Sequence, residues 1–312
     1  MAECRENKCV SVGGQALIEG IMMRGPKRTT AAVRLPDGTI QTKDFEHKIN
    51  NRGIYRIPVV RGMFQFISSI RTGYGALMYS AEAAGEDLNE PETRFEKWLR
   101  AKLGDNMMSV LTGMAMVLGV FLAVGLFILL PALLFNVLQS LTNGILGDGW
   151  RSVFEGVFRI IIMLIYMLSV AKMPEIHRVF QYHGAEHKAI FCYESGEALT
   201  VENVRKFKRL HPRCGTSFLI LMLLVGIVIG FFIPATNPLL RSIIRILLLP
   251  LTMGIGYELI KLCGKYDNAV TRIIAAPGMW LQRITTQEPD DDMIEVAIRA
   301  LHAVLPADNE EA

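Results

Sequence analysis

Charged residues and cysteines are both scarce in this sequence. Charged side chains make up 20% of the 312 residues, and the formal net charge of +3 is too small to predict DNA or another polyanion as a partner. The chain starts without an apolar stretch of signal-peptide length, so no cleaved signal is predicted. The cysteines are odd in number and scattered, unlike a secreted disulfide framework, which leaves free thiols or metal ligands. They are Cys4, Cys9, Cys192, Cys214 and Cys263.

Hydrophobic residues, by contrast, are in excess. They account for 51% of the chain, and the mean hydropathy is +0.31. Counting the 27 glycines in place of the 8 tyrosines, as the usual reference set does, raises the value further above the roughly 45–50% of soluble domains. This composition argues against a disordered tail, a coiled coil or a pair of soluble domains. It predicts an integral membrane protein.

Four membrane-spanning helices are predicted, arranged as two hairpins at residues 106–171 and 215–260. The 42 residues from Asn106 to Gly147 carry no charge, whereas about 20 helical residues already cross a bilayer. We therefore expect one span at 107–130 and a shallow segment at 131–146, because Pro131 should end a continuous helix. Two short spans are the alternative. The other spans are predicted at 153–171, 215–240 and 243–260.

A few charged residues fall inside these apolar segments. Glu155 and Arg159 are four residues apart with the glutamate first, the better orientation for an ion pair on a helix. Pairing would lower the cost of carrying these charges into lipid. Arg245 lies near one end of its span, where its side chain could reach the interface.

The distribution of basic residues predicts the orientation. Lysine and arginine are concentrated before the first span, between the second and third, and after the fourth, while each of the two short loops has one arginine. By the positive-inside rule, both termini and a central His/Cys loop at residues 172–214 are cytoplasmic.

The cytoplasmic parts are expected to fold on the inner face of the membrane. Residues 29–35 and 39–45 read as two β-rich runs joined by a Pro-Asp-Gly turn, so a small α+β domain is predicted over residues 1–105. Residues 58–84 predict an interfacial amphipathic helix, with a core helix of the same domain as the alternative. The predicted fold class is thus mainly α, a helical membrane bundle with this small N-terminal domain.

The C-terminal segment, residues 261–312, ends in a second amphipathic helix. Acidic residues follow Pro289, where they favour the start of a helix, and apolar residues then recur at helical spacing. Such a face needs a partner surface. Docking on the N-terminal domain is expected, and an external protein partner is the rarer alternative.

Histidines are concentrated in the central segment. His183 and His187 are one helical turn apart if this stretch is helical, so both imidazoles could bind one metal ion, with Glu186 beside them as a base. The order is H-x-x-E-H, the inverse of the commoner zinc-protease motif. With no metal, the same histidines are ordinary interfacial residues.

A second element, His211 with Cys214, adds two potential zinc ligands. Four protein ligands would make a closed structural site, whereas three ligands and a water would make a catalytic one, and the sequence leaves both open. Without a metal, Cys214 would be a packing residue, or Lys188 and Arg213 would contact a phosphate or carboxylate. No third group orients either Cys192 or Cys214 as a nucleophile.

The basic run at residues 205–209 lies just before the third predicted span. Contact with anionic lipid and control of topology are its first interpretation. Binding to ribosomal RNA beside a translocon is the second.

Three blocks of the sequence resemble a known family. Ser11 to Ala16 with Glu19 to Arg24, then His183 to Lys188, then His211 to Phe218, together look like the bacterial YqhQ-like family of unknown function, over residues 8–305. The resemblance implies a multi-pass protein of the bacterial inner membrane, of a kind described as a predicted metal-dependent enzyme. It adds further residues to one functional surface: Gly13, Gly14, Gln15, Glu19, Arg24, Lys188 and Arg213.

Two hypotheses of different classes follow. The first is a metal-dependent hydrolase, zinc being the expected metal, that cleaves an ester or amide of a lipid or membrane peptide. The second is a non-catalytic biogenesis or scaffold factor associated with the translocon or ribosome, in which any metal is structural. A small-molecule transporter is a weaker third, because only Glu155 and Arg159 offer polar groups within the membrane. Homo-oligomerisation is left open.

Overall fold

The computed structural model describes residues 12–46, 53, 57–85, 102, 104, 107–143, 145, 147–212, 214–266 and 268–305. The chain is mainly helical and groups into two compact units. One unit comprises residues 1–86, 165–222 and 250–312, so the predicted N-terminal, central and C-terminal segments all contribute to it. The other comprises residues 87–164 and 223–249. Cys4 and Cys9 lie outside the described residues.

The helices follow one another along most of the chain. In order they are α1 (Val60–Ala83), α2 (Met107–Val124), α3 (Leu130–Leu141), α4 (Arg151–Val170), α5 (Pro174–Glu194), α6 (Val201–Arg205), α7 (Gly215–Phe231), α8 (Pro238–Lys265), α9 (Ala269–Thr285) and α10 (Asp291–Val304). A π-helical turn, Gly125–Leu129, joins α2 to α3, and a short 3-10 turn, Asp148–Trp150, precedes α4.

A four-stranded antiparallel sheet forms the N-terminal part. Its strands are β1 (Gly13–Leu17), β2 (Gly20–Arg24), β3 (Thr29–Arg34) and β4 (Ile40–Phe45), in sequence order across the sheet. The predicted hairpin is confirmed as β3 and β4. Its turn is held by Asp37, whose carboxylate accepts hydrogen bonds from the Thr39 backbone N–H and hydroxyl at 2.9 and 2.7 Å, and by Gly38 at φ +85°.

The β1–β2 hairpin was not predicted, because both faces of this part of the sheet are covered. Ile21 and Met23 of β2 belong to a core with α5 and α10, whereas Met22 between them packs with Ala76 of α1. All three side chains are therefore buried, and the alternation of polar and apolar residues that marks a half-exposed strand is missing.

Helix α10 closes one face of this sheet, which confirms the predicted docking of the C-terminal helix. Its apolar face contacts β2, β3 and α5. Arg34 of β3 anchors its first turns by donating to Glu295 at 2.9 Å and to the Asp292 carbonyl at 2.7 Å. The residues of α10 that are buried in the core are Met293, Ile294, Val296, Ala297, Ala300, Leu301 and Val304.

Helix α1 packs on the other face of the sheet along a narrow stripe. Gly73, Ala76 and Ser80 are buried, and the Ser80 hydroxyl accepts a hydrogen bond from the Ile18 backbone N–H at 3.3 Å. The opposite face remains apolar and exposed, with Ile70 at 56% and Met78 at 47%. Helix α1 therefore makes the contacts expected of a core helix. It also keeps the exposed apolar face expected of an interfacial helix.

The expected break at Pro131 is wrong, because helix continues from Met107 to Leu141. Proline has no N–H to donate to the carbonyl four residues earlier and usually clashes with it. Here the π-helical turn immediately before Pro131 changes the local spacing, and the backbone N–H of Leu130 donates to the Gly125 carbonyl. The carbonyl that Pro131 would otherwise face, that of Phe127, accepts a hydrogen bond from Arg159 Nε at 2.7 Å.

Among the described residues, three helical segments have the length and composition to cross a membrane: Val110–Leu141, Arg151–Val170 and Pro238–Lys265. The predicted span at 215–240 is shorter than expected, since α7 is a 17-residue apolar helix that ends at Phe231. The chain then runs through Pro234 without helix until Pro238.

Candidate functional site

Helix α5 is the element that positions the central histidines, so the segment predicted as a cytoplasmic His/Cys loop is mostly helical. Pro174 at its first turn and Glu175 beside it favour a helix start. Contacts with β1, β2 and α10 bury residues 184–190. Gly184 lets the chain after α9 approach closely, because a Cβ at this position would clash with the Gln287 carbonyl.

His183 and His187, one turn apart on α5, converge on Cys214. Potential ligand atoms of these three residues all lie within 4.8 Å of one another, and they form the only such group of three or more histidine, cysteine or acidic residues among the described residues. His183 Nε2 is 3.1 Å from Cys214 Sγ, and the His187 side chain also lies beside Cys214. The two rings pack edge to face with centroids 4.4 Å apart.

Backbone carbonyls orient both rings. His183 Nδ1 lies 2.8 Å from the Thr285 carbonyl, and His187 Nδ1 contacts the Arg209 carbonyl. A carbonyl only accepts, so Nδ1 carries the proton in each ring, and in a neutral imidazole Nε2 is then left with its lone pair. Burial lowers the pKa of His187, which favours this neutral form. Such an arrangement is typical of metal-binding histidines.

Cys214 lies just before the first residue of α7 and is only 7% exposed. Its sulfur accepts a hydrogen bond from the Thr216 backbone N–H at 3.3 Å. Cysteine binds metal ions through this sulfur. Two imidazole nitrogens and one cysteine sulfur therefore lie close together.

Glu186 lies on the same helix but turns toward β1. It is 4% exposed, and its carboxylate accepts a hydrogen bond from the Gly14 backbone N–H. A Cβ on Gly14 would come within 2.9 Å of this carboxyl group, so β1 can approach it only with glycine there. Burial raises the pKa of Glu186, and Oε2 has no hydrogen-bond partner in the described part of the chain.

His211 lies beside the cluster and is not one of the three converging ligands. Its ring centroid is 5.6 Å from that of His187, and its Nε2 is 3.5 Å from a carboxylate oxygen of Glu194. Burial lowers the pKa of His211 to about 4. The ring is therefore neutral at physiological pH.

Gln282, which the sequence analysis did not identify, fixes the segment that leads to Cys214. Its Oε1 accepts from the His211 backbone N–H at 2.8 Å, and its Nε2 donates to the His211 carbonyl at 2.7 Å and to the Ser217 hydroxyl at 2.8 Å. The side chain is fully buried. A single glutamine in an amphipathic helix gives no indication of this role in sequence.

The residues added by the family resemblance make contacts in different parts of the structure. Gly13 is exposed, and a Cβ there would meet open space, whereas Gln15 packs against Gly73 of α1. Arg24 contacts the Ser69 hydroxyl at 3.4 Å, and Lys188 forms an ion pair with Glu288 at 2.6 Å. Arg213 lies outside the described residues.

The basic run before α7 also has an internal contact. Arg205 Nε donates to Asp291 at the start of α10 at 3.0 Å, so the side chain of Arg205 is engaged within the protein. Interactions of the run with lipid or RNA stay a prediction.

Glu19 connects the β1–β2 turn to α5. Its carboxylate accepts hydrogen bonds from Arg178 at 2.5 and 2.6 Å and from the Tyr182 hydroxyl at 3.1 Å. The backbone of Glu19 has φ +48°, a strained value for a residue other than glycine. The side-chain contacts compensate for this conformation by tying the turn to the helix.

This connection predicts a defined pH dependence of stability. The hydrogen bonds from Arg178 hold the pKa of Glu19 below its ordinary value of 4.5. A lowered folded-state pKa contributes stability that is present above the unfolded value and is lost as pH falls through the folded value. We expect the urea midpoint of wild-type protein to exceed that of Glu19→Gln at pH 7 and the difference to shrink below about pH 4.5. A difference that is constant with pH would contradict this assignment.

Fold and site together define a mainly helical protein with three membrane-compatible helices, a small antiparallel sheet and a buried His–His–Cys cluster. The model of the DUF1385 family, described as a protein of unknown function, matches residues 57–307, and the chain belongs to this family. It is 37% identical over 298 residues to the uncharacterized protein YqhQ of Bacillus subtilis (strain 168), covering 94% of this chain and 92% of that protein. No solved structure matches the chain significantly.

Proposed function

We propose that His183, His187 and Cys214 hold a divalent metal ion, with zinc as the best fit to the donor set. Imidazole nitrogen and thiolate sulfur are the ligands that zinc prefers, and the ligand atoms of one tetrahedral zinc lie about 3.3–3.6 Å apart. The 3.1 Å separation of His183 Nε2 and Cys214 Sγ is close to this spacing. The observation that carries the proposal is the orientation of both rings, whose Nδ1 atoms are engaged by backbone carbonyls.

The proposed activity is hydrolysis. Three protein ligands are the number found in catalytic zinc sites, and a metal bound there supplies Lewis acidity. Glu186 accepts the proton of the attacking water and later donates it to the leaving group. Burial of Glu186 supports this role because it raises the pKa of the carboxyl group. A general base is most effective when its pKa lies near the operating pH.

We propose that the substrate is an ester or amide of a lipid or a membrane peptide. Three helices with the length and composition of membrane spans support a position in the bacterial inner membrane. The concentration of lysine and arginine in the N-terminal, central and C-terminal segments supports cytoplasmic termini and a cytoplasmic metal centre.

Replacement of Glu186 tests the hydrolase directly. Cells that lack the protein are complemented with wild type, with Glu186→Gln or with the exposed control Glu197→Gln, and their lipids and membrane peptides are profiled by mass spectrometry. General-base catalysis contributes roughly 10²–10⁴-fold, so the substrate should accumulate with Glu186→Gln and not with Glu197→Gln. Identical profiles for wild type and Glu186→Gln at equal expression would contradict hydrolysis.

A second candidate, the non-catalytic biogenesis or scaffold factor, is favoured by the burial of the cluster. His187 and Cys214 are 2% and 7% exposed, as expected for a metal that holds α5 to the start of α7. In this case a partner would bind elsewhere than the apolar face of α10, which is covered by the sheet. The same experiment distinguishes the two, because a structural metal does not need Glu186 as a base.

A further inference from the structure

A second polar cluster lies in the other unit, among helices that have the composition of membrane spans. Glu155 of α4 is fully buried and contacts four arginines. It lies 3.2 Å from Arg151, 3.7 Å from Arg159 and 3.3 Å from Arg241, and it forms a further ion pair with Arg245. The sequence predicts a Glu155–Arg159 ion pair and an Arg245 side chain that extends to the membrane interface. The second expectation is wrong, because the side chain of Arg245 is only 10% exposed.

Two of these arginines have structural partners that account for their positions. Arg241 donates to the carbonyls of Gly230 and Ile233 at 2.9 and 2.7 Å and to the Ser152 hydroxyl at 2.8 Å. Arg151 donates to the Thr236 carbonyl at 2.7 Å and to Asn136. These bonds satisfy the end of α7 and the non-helical chain after it, which would otherwise leave carbonyls unpaired in a dry environment.

The other two arginines, Arg159 and Arg245, are buried and keep guanidinium nitrogens that have no hydrogen bond among the described residues. Arg245 forms the ion pair with Glu155, but its Nε and Nη2 atoms have no hydrogen-bond partner among the residues that the structure describes. Arg159 donates through Nε to the Phe127 carbonyl, and its Nη2 is likewise without a hydrogen bond in that part of the chain. Space beside Arg245 is kept by Gly230, where a Cβ would come within 3.0 Å of Nη2.

The charges in this cluster do not balance. Even with Arg151 set aside, Arg159, Arg241 and Arg245 share the Glu155 carboxylate in their described ion pairs, so two positive charges exceed the negative ones. Uncompensated charge in an apolar environment is strongly unfavourable. Arginine keeps its proton under these conditions, so deprotonation does not remove the excess. A bound anion would compensate the excess positive charge.

We propose that Arg159 and Arg245 form a binding site for a phosphate-type oxyanion within the helices of this unit. Guanidinium groups present paired N–H donors that match the oxygens of phosphate, and the two excess charges correspond to those of a phosphate group. Arg159 lies eight residues beyond Arg151 on α4, about 12 Å along the helix, so the site extends into the apolar segment. The phosphate belongs either to a lipid headgroup or to the free ion. None of these residues belongs to the proposed metal centre.

Binding is measured on the full-length protein in mild detergent. One arm titrates inorganic phosphate at constant ionic strength, with chloride as the reference, and follows the melting temperature. The other arm adds phosphatidylglycerol or diacylglycerol with the same acyl chains and counts bound lipid by native mass spectrometry. Stabilisation by inorganic phosphate identifies the free ion as the source, and retention of phosphatidylglycerol but not diacylglycerol identifies a lipid headgroup.

Variants test whether the arginines form the site. Arg245→Gln should weaken whichever binding is observed at least tenfold, whereas Arg299→Gln, which removes an exposed charge from α10, should bind as wild type does. Glu155→Gln removes the internal carboxylate that competes with the bound anion, so this variant should bind the anion several-fold more tightly. It also tests the site if Arg245→Gln does not fold. Absence of binding in both arms, or wild-type affinity in either of these two variants, would overturn the proposal.

Discussion

Purified wild-type protein should contain about one equivalent of a divalent metal, and His187→Ala or Cys214→Ala should lose it. The described residues provide three converging ligands. Removing His187 or Cys214 leaves two, so zinc affinity should fall by orders of magnitude. Metal content is measured by inductively coupled plasma mass spectrometry after purification without added metal. Wild-type protein without stoichiometric zinc, manganese or iron would contradict the metal centre.

Matched controls are available in the same unit. His177 is an exposed histidine in the second turn of α5, and Cys263 is a partly buried cysteine whose sulfur contacts the Thr271 carbonyl. His177→Ala and Cys263→Ala should therefore retain wild-type metal content. Glu186→Gln should also retain it, because the Glu186 carboxylate is not part of the ligand group. Loss of metal in Glu186→Gln would instead make this residue a ligand.

Leu301→Ala is expected to destabilise the unit that carries the site by about 2–5 kcal/mol. Leu301 is completely buried between α10, the sheet and α5, and its truncation leaves a cavity in the core. The next residue, His302, is exposed, so His302→Ala should lie within about 0.5 kcal/mol of wild type.

Unfolding of this unit can be followed through Cys192, which is fully buried in the same core. Its modification by a pulse of thiol reagent is measured against urea concentration by peptide mass spectrometry, and the midpoint should shift to lower urea in Leu301→Ala. Equal midpoints for Leu301→Ala and His302→Ala would show that α10 does not stabilise the core on which it packs.

Local patterns were sufficient for several elements. The Pro-Asp-Gly turn identified the β3–β4 hairpin, because this turn depends on residues next to one another in the chain. Acidic residues at its start and a continuous apolar face likewise identified α10. In each case the interaction that specifies the element lies within a few residues.

The elements that were missed depend on contacts between distant segments. Helix packing on both faces of β2 removed the alternation that would have marked it as a strand. Helix continues through Pro131 because Arg159, 28 residues later, donates to the freed carbonyl. Neither neighbour can be identified from the local sequence.

The candidate metal centre combines both kinds of information. The spacing of His183 and His187 placed two imidazoles on one face of a helix, and the sequence alone established this pair. Tertiary structure brought Cys214 to them and left His211 beside Glu194, because Gln282 fixes the chain between α6 and α7.

The sequence by itself determined the abundance of apolar helices, the β3–β4 hairpin of the small sheet and the pair of histidines, since composition and periodicity are local properties. Only the tertiary structure decided which charges share a site. Glu155 and Arg245 are 90 residues apart in sequence, and their ion pair forms because α4 and α8 fold against each other in an environment from which water is excluded.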